Sequence, residues 1–158
     1  MAASNTQRTL ARLRKQGFRA EVVERWQPLT TKEAAETGPH KKKRTGYRRD
    51  LFKFIDVIAL TPDFILGVQS CSYSTIAAHR RKILHDPDIR LALLDWLTAG
   101  GRFAVYGWRK KGRFWEVTMR DVTKQDIHDA IALGLRVAAD LDIPLAKEKD
   151  ARQLAFAV

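Results

Sequence analysis

The sequence predicts a single α/β (α+β) domain, a mixed central sheet with helices on its faces. Three observations carry that reading. The apolar patterning changes from a helical to a strand period and back, in the order helix, three strands, two helices, two strands, helix. The uninterrupted runs VIAL (57–60) and FILGV (64–68) suit central strands covered on both faces. The stripes Leu10–Leu13–Gly17 and Ile127–Ile131–Leu135–Ala138 recur at the spacing of amphipathic helices that cover a sheet.

Each element follows from local signals. Thr6 to Gln16 is predicted helical, with Arg8, Arg12, Arg14 and Lys15 around the polar side and Gly17 as its stop. FRAEVVERW (18–26) reads as one strand with Ala20, Val22 and Glu24 on one face, ended by Pro28. Residues 27–46 lack periodicity and contain Gly38-Pro39, which predicts a long mobile basic loop with a helical turn at Lys32 to Glu36. The next strand is predicted over Leu51 to Leu60. Thr61-Pro62-Asp63 then turns the chain into a partner strand, Phe64 to Ser72. Ser74 or Thr75 caps the following helix, and Asp86-Pro87 opens another that Gly100-Gly101 ends. RFAVYGWRKKGRFWEVTMRDV is an aromatic-rich hairpin about a Lys-Lys-Gly turn. Thr123 with Asp126 forms a capping box for the last helix, and a less ordered tail is expected from Ala146. No repeat and no second domain is visible in the 158 residues.

Composition narrows the function. Lys and Arg total 29 against 18 Asp and Glu, a net charge of +11, and an excess of that size fits a polyanionic partner, nucleic acid before a membrane surface. A single Cys rules out an internal disulfide framework and fits a reducing, cytoplasmic setting. No apolar run is long enough to cross a bilayer, and MAASNTQRT lacks the apolar centre of a signal peptide. The four histidines show no metal-ligand spacing, and phosphate-loop and dinucleotide glycine patterns are missing.

The residue that asks for chemistry is Asp56, a carboxylate inside an apolar strand, where it needs a hydrogen-bond partner, a counter-charge or a metal. Antiparallel pairing about the Thr61-Pro62-Asp63 turn brings Gln69 within a residue or so of it. A carboxylate and an amide oxygen are ligands for a hard cation such as Mg2+ or Mn2+. Asp50, at an even spacing from Asp56, falls on the same strand face, and Glu24, hemmed between Val23 and Trp26, is a further oxygen source. Exposed salt bridges are the ordinary alternative for Glu24 and Asp50.

A helix, a strand, then a hairpin with Asp56 in FIDVIAL and Gln69 in LGVQSCS resembles the PD-(D/E)xK nuclease superfamily, and within it the small Holliday-junction-resolvase-like and phage-type endonucleases. The resemblance spans roughly residues 7 to 85. It implies a restriction-endonuclease-like fold and a Mg2+- or Mn2+-dependent endodeoxyribonuclease acting on branched or duplex DNA in recombination or repair, as a homodimer. By the family pattern Asp56 is the metal-binding aspartate and Gln69 fills the (D/E) position. Cys71 stands where the catalytic lysine belongs, so the steadying cation would come from Lys82 or Arg81 on the following helix.

Three basic runs flank this hairpin: Lys41, Lys42, Lys43, Arg44, Arg48 and Arg49 before it, Arg80, Arg81 and Lys82 after it, and Arg109, Lys110, Lys111 and Arg113 in the aromatic hairpin. Cations around an acidic centre are what a phosphate backbone requires. Two alternatives share these features. One is a DNA-binding protein on the same fold that does not cut; the other is a basic assembly or architectural subunit whose aromatic hairpin is a protein interface.

Overall fold

A computed structural model describes residues 3–28 and 46–140; the side chains of Tyr47, Arg48 and residues 135–140 are not described. In chain order the elements are helix α1 (Asn5–Lys15), strands β1 (Arg19–Val22), β2 (Arg25–Pro28), β3 (Gly46–Arg49), β4 (Val57–Leu60) and β5 (Ile65–Ser72), a short 3-10 turn (Tyr73–Thr75), helices α2 (Ile76–His85) and α3 (Pro87–Thr98), strands β6 (Arg102–Lys111) and β7 (Phe114–Asp121), and helix α4 (Lys124–Asp140).

Local chemistry sets the boundaries. Ser4 accepts the Gln7 N–H to open α1, and Gly17, at φ +86°, ends it in the left-handed region where a Cβ is costly. Asp86 accepts the Asp88 and Ile89 N–H groups ahead of Pro87. At α4 the Asp126 carboxylate accepts from the Thr123 N–H and hydroxyl while the Thr123 hydroxyl accepts the Asp126 N–H, the reciprocal capping box. Thr75 stands at the N-cap of α2, but its hydroxyl donates to the Ser72 carbonyl instead of accepting a helix N–H. The aromatic hairpin turns at Gly112-Arg113, with Lys111 paired to Phe114. Gly112 at φ +60° occupies the first central position, as a type II′ loop requires.

Five strands form one mixed sheet in the order β1-β4-β5-β6-β7. β1–β4, β4–β5 and β6–β7 are antiparallel; β5–β6 is parallel, which is why α2 and α3 cross over a face between them. On one face α1 lays Leu10 and Leu13 over Ala20, Val57, Ala59, Val68, Ala104 and Tyr106. On the other, α2, α3 and α4 bury Ile83, Leu93, Leu94, Ile127 and Ile131 against Phe54, Phe103 and Val105. The result is a three-layer α/β/α arrangement, the fold class expected.

A polar rivet joins α1 to the sheet. Thr9 is fully buried, and its Oγ1 accepts both the Trp108 indole N–H (2.9 Å) and the Ser70 hydroxyl (2.9 Å). Thr9→Val keeps the shape but strands two donors, so it should lower the unfolding free energy by ~2 kcal/mol in urea titrations.

Two expectations are corrected. The strand predicted over Phe18–Trp26 breaks at Val23-Glu24: β1 stays in the main sheet, while β2 leaves it to pair antiparallel with β3 in a two-stranded ribbon. The strand predicted over Leu51–Leu60 begins only at Val57. Before it, Leu51 and Ile55 bridge across a tight turn whose central residues Phe52 (φ +53°) and Lys53 (φ +69°) are both left-handed. Of the loop expected over 27–46, Gln27, Pro28 and Gly46 belong to this ribbon, while residues 29–45, with the turn at Lys32 to Glu36, lie outside the described residues, as does the tail from Ala146.

A candidate site where three strands part

The end of β1, the start of β4 and the middle of β5 meet at one place and then diverge. Ladder bonds continue one step past the strands: Val23 N–H donates to the Asp56 carbonyl (2.8 Å), and Asp56 N–H to the Val68 carbonyl (2.9 Å). Beyond that step β4 has turned away, and the next N–H of β5, that of Ser70, donates instead to Asp56 Oδ2 (2.7 Å). Gln69 Nε2 donates to the same oxygen (2.9 Å). The register Val57↔Val68 places Asp56 opposite Gln69, inside the one-residue range that the hairpin pairing allowed.

Around this buried carboxylate the parting chains gather two more. Glu24 enters from the break between β1 and β2, and Asp50 from the end of β3. One carboxylate oxygen from each of Glu24, Asp50 and Asp56 lies within 4.8 Å of the others. Asp56 is only 4% exposed. Burial pushes its carboxyl up to about 8 against the opposing Ser70 N–H; a hydrogen bond and the charge of Asp50, and the charge of Glu24, push the same way. Like charges this close in a buried setting share a proton or a cation.

Asp50 reaches Asp56 for a reason other than the one expected. Even spacing along a strand was the premise, but the residues between them form the left-handed Phe52-Lys53 turn, which folds Asp50 back beside Asp56. Gln69 is present too, and its amide nitrogen is spent on holding Asp56. Cys71, two residues on, points into the core with Phe54, Ile55 and Ile76; burial pushes its thiol up, so it offers no charge here.

On α2, His79 is half-buried and feels the Asp50 charge; burial, and then Lys82, lower its imidazole below the usual range. Lys82 lies one turn on from His79 and shares its face. Arg81 is exposed and stands about 200° round the helix from His79. Sequence reading missed His79 as a neighbour of the acids, since only the packing of α2 on the sheet creates that proximity.

The other predicted cations are spread unevenly. Arg80 pairs with Asp126 (2.8 Å) and donates to the Asp121 carbonyl, tying α2 to α4. Arg109 and Lys111 pair with Glu116 on the neighbouring strand, at 3.0 and 3.2 Å. Lys110, Arg113 and Arg49 are exposed, the last within 3.5 Å of Gln27 Oε1. Lys41, Lys42, Lys43 and Arg44 lie outside the described residues, as does the Arg48 side chain. Among the described residues no helix is long and apolar enough to cross a membrane.

Compared with known proteins, the chain matches no family model, no curated protein and no solved structure.

Proposed function

We propose that the protein is a divalent-metal-dependent endodeoxyribonuclease of the PD-(D/E)xK type that acts on branched or otherwise structured DNA. The observation that carries this reading is the convergence of Glu24, Asp50 and Asp56 at the point where three chain segments part. An all-oxygen, carboxylate-rich donor set suits Mg2+ or Mn2+. Glu24, Asp50 and Asp56 would hold the ion, with the Gln69 amide fixing Asp56. Such an ion lowers the pKa of bound water and offsets negative charge on a scissile phosphate.

The chain's own residues supply the rest. The Ser70 N–H and Gln69 amide lock the Asp56 carboxylate in one orientation. His79, kept neutral by burial, is a proton acceptor beside Asp50. Lys82, on the His79 face of α2, would be the ammonium that steadies phosphate charge in place of the strand lysine that Cys71 replaces. A homodimer suits two symmetric cuts.

The test is incubation with a four-way junction and with linear duplex, each with Mg2+, Mn2+ or EDTA. Metal-dependent cutting of the junction is the expected result. Lys82→Ala should slow cutting by about tenfold or more, whereas Arg81→Ala should leave the rate within about twofold because it lies on the opposite side of α2 from His79. The buried, uncharged Cys71 favours a second reading, a DNA-binding protein that does not cut. Salt-sensitive binding without cleavage under either metal would select it.

A further inference from the structure

Beside the carboxylates runs an open groove of about 960 Å³ between the β2–β3 ribbon, the left-handed turn and α3. Two aromatic side chains line it, Trp26 and Phe52, and both are more than half exposed, at 60% and 52%. Three cations, Arg25, Arg49 and Lys53, share the lining, and Asp50 joins the groove to the carboxylate cluster. Asp88 of α3 adds a single negative charge on the far side.

Neither aromatic is placed casually. An added Cβ on Gly46 would lie 2.6 Å from Trp26 Cζ2, so the indole is seated directly on the β3 backbone. Phe52 holds a half-exposed ring, one edge against Phe54 (ring centroids 6.4 Å apart), on a left-handed backbone (φ +53°) that costs a non-glycine residue about 1–2 kcal/mol. Local strain of this kind collects at functional sites.

We infer that this groove is a binding site for unpaired nucleotides, with Trp26 and Phe52 as base-stacking platforms and Arg25, Arg49 and Lys53 as phosphate contacts. Exposed aromatic faces bind bases that have left their stack and offer nothing to a base still inside a duplex, and interleaved cations follow the backbone between them. The inference rests on the nuclease reading in one respect, since it names the substrate feature presented to the carboxylates: the unpaired strand at a fork, flap or junction.

The experiment measures binding in EDTA, so that it is independent of cutting. Fluorescence anisotropy compares a short oligothymidylate with a duplex of the same length for wild type, Trp26→Ala, Trp26→Phe and Phe52→Ala. Each alanine variant should weaken oligothymidylate binding by about tenfold while duplex affinity stays within about twofold, and Trp26→Phe should restore most of the loss. Circular dichroism confirms that the exposed substitutions leave the fold intact. Equal losses on both DNAs, or no loss on either, overturn the groove assignment, as does an absence of oligothymidylate binding by the wild type. A wild type that stacks oligothymidylate but never cuts under Mg2+ or Mn2+ sinks the nuclease reading alone. One that cuts with Trp26 and Phe52 dispensable sinks the groove alone.

Discussion

Cleavage by the Asp56→Asn protein is expected to fall about a thousandfold, with junction affinity within about twofold of wild type. Asparagine keeps the shape of the side chain, and its Oδ1 still accepts the Ser70 N–H and the Gln69 amide that hold Asp56. Its amide N–H groups replace the carboxyl that hydrogen-bonds Asp50. What disappears is the ability of residue 56 to give up a proton and become an anionic ligand at the centre of the Glu24–Asp50–Asp56 cluster, the feature a hard cation needs. On the proposed reading, loss of the ion would remove several kcal/mol of charge stabilisation from the transition state, and each ~1.4 kcal/mol is a factor of ten in rate. The proposed DNA binding would depend on cations elsewhere and has no reason to weaken. Single-turnover cleavage of a four-way junction, paired with binding in EDTA, checks both halves. Undiminished cutting would remove the carboxylate cluster from the chemistry.

Why this centre was partly legible beforehand comes down to the range of the interactions involved. The Asp56–Gln69 pairing is a hairpin register, and Thr61-Pro62-Asp63 announced that turn from neighbouring residues. The capping pairs Asp86 with Pro87 and Thr123 with Asp126 were equally local. The break of the first strand at Val23-Glu24 carries no proline or glycine. It arises because β2 finds a partner in β3, some twenty residues away. Phe52 and Lys53 are not turn residues, so nothing local foretold a left-handed pair in front of Asp56. Asp50 reaches Asp56 through that turn and not through strand periodicity, and His79, Trp26 and Phe52 acquire their meaning only when α2, the ribbon and the turn are assembled around the same point.

In EDTA the folded protein should become less stable as pH rises toward about 8, a direction opposite to that of an ordinary paired carboxylate. Asp56 is raised from 3.8 to about 8, so between those values the folded chain keeps a proton that the unfolded chain has released. Stability therefore declines with rising pH across that window and levels off above it. At ~1.4 kcal/mol per pH unit over about 4 units, the decline attributable to Asp56 is at most about 6 kcal/mol, and structural relaxation should reduce it to a few. His79 works against it: burial lowers its pKa, so its contribution is lost as pH falls below 6.5. Asp126, held low by the Thr123 bonds and Arg80 despite its burial, adds an acid limb below 3.8. Urea unfolding across the pH range should show the alkaline decline in wild type and a flatter profile in Asp56→Asn. On the proposed reading Mg2+ would bind only the folded state and displace the Asp56 proton, and it should then restore stability most at pH 8 and above, by about 2.7 kcal/mol at a hundredfold excess over its Kd. A wild-type profile that matches Asp56→Asn with and without Mg2+ would show that the three carboxylates neither trap a proton nor hold an ion. The cost of burying Asp56 would then have to be met by the Ser70 and Gln69 hydrogen bonds alone.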